Sequence, residues 1–95
     1  RRLFLGIHRN QIQDEEQWLA KQVYLNIGFT LFAAAAAGID AVPMEGVDLQ
    51  VLNEEFGLTE KGYKAVAVVS FGYRAADDFN AALPKSRFEA IFTKI

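Results

Sequence analysis

The chain has no cysteine, a single histidine and almost no net charge among its 95 residues. Without cysteine it has no disulfide bond, thiolate metal ligand or cysteine nucleophile, which fits a reducing, cytoplasmic location. The formal net charge of −2 offers no basic face for nucleic acid. The most apolar stretch, residues 23–39, contains Asn26 and Thr30 and falls short of the roughly 20 apolar residues that cross a bilayer. We therefore expect no nucleic-acid or membrane partner, and no metal or catalytic role for His8, which has no acidic partner close by in sequence.

The chain is rich in apolar residues. Hydrophobic residues make up 52% of the sequence and aromatic residues 13%, which argues against disorder. A chain of this length forms at most one small domain, whose single core is adequate but thin.

A long helix is the clearest element. Asp14 is predicted to cap it, with Gln17 completing a capping box, and Gly38 is predicted to terminate it. Such a helix would be roughly 35 Å long. The alanine run at 33–37 would let another backbone approach closely, either in a dimer or within one subunit. Before this helix, residues 1–9 suggest the end of another helix and residues 10–13 a polar break.

The second half of the chain alternates turns with short elements. Residues 41–46 are predicted to form a tight corner, after which Asp48 caps a short helix that Gly57 ends. The valine-rich run at 64–71 is typical of a strand covered on both faces, and residues 88–95 suggest an extended tail or a helical face. A doubly covered strand needs neighbours, and the chain offers at most one more candidate strand. We therefore expect the C-terminal part of a larger protein or half of an obligate assembly.

Four fragments resemble the bacterial oxygen-insensitive NAD(P)H nitroreductases, a family that includes dihydropteridine reductases. They occur in the same order as in that family, and the similarity runs from about Trp18 to Arg87, with a fainter continuation back to Phe4. The fragments are AKQVYLNIG at 20–28, GIDAVPMEG at 38–46, FGLTEKGY at 56–63 and DFNAALPKSR at 78–87.

The resemblance implies an α+β fold, of which residues 1–95 would be the C-terminal portion of a single nitroreductase-like domain, without its N-terminal portion. That portion would comprise a long dimer-interface helix, a short helix, a central strand and an extended tail. The implied enzyme is a flavoprotein homodimer that uses FMN and NADH or NADPH. It would reduce nitroaromatics, quinones or related acceptors by ping-pong hydride transfer. The alternative is a non-catalytic dimerisation or assembly fragment that cannot hold flavin alone.

The resemblance also implies where the flavin ring would lie. The backbone N–H groups of Glu45 and Gly46 would face the ring edge, with Pro43 and Met44 along its face. Hydride transfer needs no general base, so no catalytic role is assigned to the Glu45 carboxylate.

The phosphate of the nucleotide would lie against Lys85, Ser86 and Arg87. Lysine and arginine two residues apart in an extended segment point to the same side, where they could hold one anion together. Phe4 would stack on substrates above the flavin, whereas Trp18 and Tyr24 are expected to be packing residues.

Overall fold

A computed structural model describes residues 1–86, 88–89 and 92–94 of the chain. It contains helices and one antiparallel pair of strands, as in an α+β fold. In chain order they are α1 (Arg2–Gly6), a π-helix (Ile7–Ile12), α2 (Glu15–Ala36), β1 (Asp40–Met44), α3 (Leu49–Glu55), β2 (Val68–Gly72) and a 3₁₀-helix (Phe79–Ala82).

The long helix α2 ends as the sequence predicts. Gly38 adopts a left-handed φ of 72°, and its N–H donates to the Ala35 carbonyl over 3.1 Å. The N–H of Ile39 reaches back to the Ala34 carbonyl over 2.8 Å. This pair of hydrogen bonds is a Schellman motif, in which glycine supplies the left-handed conformation at little cost.

The start of α2 differs from the prediction. Asp14 occupies the N-cap position, but its side chain accepts no backbone hydrogen bond there. Its carboxylate instead lies 2.5 Å from Nδ1 of His8. The predicted capping box is therefore wrong, because the folded-back helical segment before α2 supplies a stronger partner than the backbone N–H groups.

Residues before α2 are helical further than expected. The predicted helix end at residues 1–9 is confirmed by α1 and the π-helix, which continues through Ile12. The predicted break at 10–13 is thus confined to its last residue, Gln13, whose φ is 59°. This left-handed residue turns the chain between the π-helix and α2.

Strands β1 and β2 form an antiparallel sheet. Pairing runs from Asp40 with Gly72 to Met44 with Val68. The predicted corner at 41–46 is wrong in its first part, because residues through Met44 extend along β2. The predicted strand at 64–71 is shorter and shifted, since its ordered pairing begins only at Val68.

The short helix α3 has both predicted ends. The Asp48 carboxylate accepts hydrogen bonds from the backbone N–H groups of Gln50 and Val51, at 3.0 and 3.1 Å. Gly57 follows the helix with a φ of 58°. Capping of this kind contributes about 1 kcal/mol. The cap therefore fixes the residue at which α3 begins after β1.

Most of the apolar surface of this chain faces outward. Its accessible area is 8791 Å², against about 5,500 Å² expected for a folded monomer of its mass. Ala34 is the one hydrophobic residue that is buried in the described part of the chain. Phe29 and Phe32 of α2 are 76% and 77% exposed. The described residues therefore leave this face of α2 uncovered.

The described residues after β2 form one short helix and irregular structure. The 3₁₀-helix is capped by Asp78, whose carboxylate accepts a 3.0 Å hydrogen bond from the backbone N–H of Asn80. Residues 83–86, 88–89 and 92–94 lie outside helices and strands. An extended tail is therefore the better of the two predictions for these described residues.

Candidate functional site

The segment between β1 and α3 is an exposed bend, which we call the 45–47 bend. Pro43 and Met44 form the end of β1, and Glu45 and Gly46 follow directly, with both side-chain positions facing solvent. Within the described residues, the N–H groups of Glu45 and Gly46 have no hydrogen-bond acceptor. A strand rather than a corner leads into this bend, and the role of its backbone donors in holding a ligand stays a prediction.

The packing of the chain does not require the residue at position 46 to lack a side chain. A Cβ atom built there would meet no atom within 4 Å, and its φ lies outside the left-handed region. Glycine at this position therefore leaves space beside the bend rather than relieving strain within it. Such space suits the close approach of a flat ligand to the backbone.

The exposed Glu45 carboxylate influences the titration of Tyr24 on α2. A side-chain hydrogen bond with the Glu45 carboxylate raises the pKa of Tyr24 above its ordinary value, since the neutral phenol is the donor. Tyr24 is 43% exposed on α2, and its expected role as a packing residue stays a prediction.

The predicted phosphate-binding segment lies beyond the 3₁₀-helix. Lys85 and Ser86 are exposed and outside regular structure, whereas Arg87 lies outside the described residues. Within the described part of the chain, Lys85 has no ion-pair partner. Its ammonium group is therefore available to an anion from outside the chain.

A groove of about 390 Å³ connects Lys85 to the sheet. Residues of both strands line it, together with Arg74, Asp78 and Asn80. A second groove contains Pro43, and the two grooves share Asp40, Ala41 and Arg74. Pro43 and Lys85, one residue from each predicted half of the site, thus line two different grooves that have these three residues in common.

Arg74 is a feature of this groove that the sequence reasoning missed. Its guanidinium contacts Asp40 at 2.5 Å through Nη2 and 3.1 Å through Nε, and its backbone N–H donates to the same carboxylate at 2.9 Å. These hydrogen bonds lower the pKa of Asp40 to about 2. Because Asp40 neutralises Arg74, Lys85 is the cation of the groove that remains unpaired in the described part of the chain. The sequence could have revealed this pair: if residues 40–44 are predicted to pair antiparallel with the valine-rich run, Asp40 and Arg74 are expected to lie close together.

Phe4 is on α1 with 61% of its surface exposed. The helical segment that carries it is tied to the start of α2: the ring of His8 stacks on Trp18 with centroids 4.7 Å apart, and Arg9 pairs with Glu15 at 2.5 Å. Trp18 therefore packs as expected. The premise that His8 lacks an acidic partner is wrong, since it contacts Asp14.

No group of side chains suited to a metal ion occurs among the described residues. The same part of the chain contains no helix with the length and apolar character needed to cross a membrane.

Comparison with known proteins identifies the protein family to which this chain belongs. Residues 5–73 match the model of the Nitroreductase family, and the chain belongs to that family. The predicted resemblance is confirmed, and so is the α+β fold class.

The individual relatives agree with this assignment. The chain is 56% identical over 87 residues to an oxygen-insensitive NAD(P)H nitroreductase of Salmonella typhimurium and 53% identical to one of Enterobacter cloacae. Each match covers 92% of this chain and 40% of the relative. It is also 36% identical to the major NAD(P)H-flavin oxidoreductase of Aliivibrio fischeri, over 95% of this chain and 43% of the relative. The chain therefore spans about two fifths of the length of these relatives.

The residues present fit part of an FMN site. Two backbone donors and one lysine have no partner among the residues that the structure describes; the donors, beside an open glycine, suit the polar edge of a flat ring, and the lysine suits a phosphate. The fit rests on this donor set.

Proposed function

We propose that the chain is the C-terminal portion of a single nitroreductase-like domain, in an FMN-dependent NAD(P)H oxidoreductase of the cytoplasm. The observation that carries the proposal is the 45–47 bend in a member of the Nitroreductase family, where the N–H groups of Glu45 and Gly46 have no acceptor in the described ranges 1–86, 88–89 and 92–94. The acceptors would be nitroaromatics, quinones or related compounds.

Bound FMN would supply hydride acceptance from the nicotinamide and hydride donation to the acceptor in a ping-pong cycle. The part played by this chain is binding and orientation. The N–H groups of Glu45 and Gly46 would hold the polar ring edge, and Pro43 and Met44 would lie along the ring. No side chain of the bend needs to move a proton.

Lys85, Ser86 and Arg87 would bind the phosphate of FMN. Charge-assisted hydrogen bonds of this kind contribute about 1.5–3 kcal/mol each. Asp40 supports this arrangement indirectly, because by pairing with Arg74 it leaves Lys85 as the unpaired cation of the groove among the described residues. Phe4, exposed on a short helix, would contact the substrate above the ring.

A homodimer is the assembly that we propose for the complete protein. The exposed aromatic side chains of α2, Phe29 and Phe32, together with the alanine run that follows them, form an apolar surface that the chain itself does not cover. A second copy packed along this helix would bury that surface.

The test is a titration of the full-length protein with FMN, followed by NADH and NADPH oxidation in the presence of a nitroaromatic acceptor. We expect a yellow protein that binds FMN and oxidises NADH or NADPH when the nitroaromatic acceptor is present. A folded dimer that binds no FMN would contradict the proposal and favour the alternative, a non-catalytic assembly fragment.

A further inference from the structure

The groove beside Lys85 is lined by charged side chains of both signs. Its charged lining residues are Asp40, Arg74, Asp78 and Lys85. Two of them are cations and two are carboxylates, so their formal charges cancel. Within the described part of the chain, Lys85 has no ion-pair partner, whereas Arg74 is paired with Asp40. The attraction of this groove for an anion therefore depends on whether that pair stays closed.

Several hydrogen bonds hold the Arg74 guanidinium on Asp40. Nε of Arg74 lies 3.1 Å from each carboxylate oxygen, and Nη2 lies 2.5 Å from Oδ1. The backbone N–H of Arg74 donates to Oδ2 over 2.9 Å. Asp40 begins β1 and pairs with Gly72, the last residue of β2. Because both the backbone and the planar guanidinium contact one carboxylate at the end of the strand pair, the direction of the Arg74 side chain is fixed.

Both partners of this pair are charged at neutral pH. Hydrogen bonds from Arg74 lower the pKa of Asp40 to about 2, and the carboxylate raises the pKa of Arg74 in return. The closed pair therefore adds no net charge to the groove. Asp78, which caps the 3₁₀-helix, adds a negative charge that opposes an anion. Among the described residues, Lys85 is thus the cation that attracts a phosphate while the pair is closed.

We propose that Asp40 is a specificity-determining residue, which withholds the Arg74 guanidinium from the ligand and so limits the preference of the groove for a phosphorylated flavin over riboflavin. The inference rests on the proposed function, in which the phosphate of FMN lies beside Lys85. The Arg74 side chain is 58% exposed, which leaves it room to move once Asp40 is replaced. A released guanidinium binds phosphate oxygens through its planar set of donors, so Arg74 would then join Lys85 at the phosphate.

The experiment measures the Kd of FMN and of riboflavin by fluorescence titration of the full-length apoprotein at constant ionic strength. The readout is the riboflavin Kd divided by the FMN Kd, since the two ligands share the ring and differ in the phosphate. Asp40→Asn, which releases Arg74, should raise this ratio about threefold to tenfold, as expected for one charge partly screened by water and salt. Arg74→Gln, which leaves Asp40 without its partner, should lower the ratio by a similar factor.

A double variant and a control separate charge from damage to the fold. Asp40→Asn/Arg74→Gln restores the charge balance of the groove, so its ratio should return close to the wild-type value. Glu60→Gln is the matched control, because it removes the same charge at an exposed position outside both grooves, and its ratio should equal that of the wild type. If the pair had only a structural role, the two single variants would change the ratio in the same direction or leave it unchanged, and the inference would be overturned.

A second readout needs no flavin. Inorganic phosphate is titrated into the full-length apoprotein while the Nε–H resonance of Arg74 is followed by NMR. We expect phosphate to shift this resonance in Asp40→Asn and to leave it in place in the wild type, where the Nε–H donates to Asp40. An equal response in both proteins, or no response in either, would overturn the inference.

The outcomes distinguish this inference from the function on which it rests. A wild-type protein that binds neither flavin contradicts the proposed function, and the phosphate titration then still decides whether Asp40 withholds Arg74. If the wild type binds FMN and Asp40→Asn leaves the ratio unchanged or lowers it, the inference alone is overturned. If Asp40→Asn fails to fold, Arg74→Gln provides the flavin test, and a ratio that it leaves unchanged or raises has the same consequence.

Discussion

Replacing Gly46 by alanine should weaken FMN binding without disturbing the fold. A Cβ at Gly46 meets nothing within 4 Å, and the residue does not need a left-handed φ. The free energy of unfolding should therefore change by no more than about 0.5 kcal/mol, as for an ordinary surface substitution.

The cost should appear only when the ligand is bound. A ring edge accepting a hydrogen bond from the Gly46 N–H would lie about 3 Å from the nitrogen. A methyl group beside that nitrogen needs about 3.5–4 Å from ring carbon atoms. The bend must then draw back and lose one hydrogen bond, worth about 0.5–1.5 kcal/mol, which raises the FMN Kd about twofold to tenfold.

The assay pairs chemical denaturation with fluorescence titration of FMN, and Gly57→Ala is the reciprocal control. Gly57 has a φ of 58°, so alanine there should cost about 1–2 kcal/mol of stability while leaving the FMN Kd unchanged. Wild-type FMN affinity in Gly46→Ala would refute the assignment of the bend to the ring edge. If Gly46→Ala lost as much stability as Gly57→Ala, the premise that a Cβ at Gly46 meets open space would be refuted.

Two further predictions concern the assembly and the acid stability of the sheet. Phe32→Ser should convert the dimer to monomer in size-exclusion chromatography, because a 77% exposed phenylalanine is costly to lose only where a partner covers it. Phe56→Ser, at the end of α3, is the control and should remain dimeric. A Phe32→Ser protein that remains dimeric would contradict the proposed interface. The stabilisation from the Asp40–Arg74 pair should be fully present above about pH 4 and lost as the pH falls towards the folded-state pKa of about 2. The difference in unfolding free energy between wild type and Asp40→Asn should therefore shrink across that window, and a constant difference would show that the pair is not what Asp40 contributes.

The ends of the helices could be predicted from the sequence because local chemistry determines them. Gly38 and Gly57 end α2 and α3 through left-handed conformations, and Asp48 caps α3 through its own carboxylate. These features involve residues within one or two turns of each other, so spacing along the chain is sufficient evidence.

Long-range contacts overrode the sequence pattern elsewhere. Asp14 has the spacing of a capping residue, yet His8 takes its carboxylate. The proline and glycine at 43 and 46 suggest a corner, yet pairing with β2 extends the chain through Met44. Glu45 raises the pKa of Tyr24 from 21 positions away, which a pattern along one helix does not reveal.

The most direct test of the central claim compares FMN with riboflavin, which has the same ring but no phosphate. In the full-length protein, Lys85→Ala should weaken FMN binding about tenfold, as expected for one charge-assisted contact. It should leave the riboflavin Kd unchanged, and Lys21→Ala, which removes an exposed lysine of α2, should alter neither. Equal weakening of FMN and riboflavin, or wild-type protein that binds neither flavin, would contradict the account.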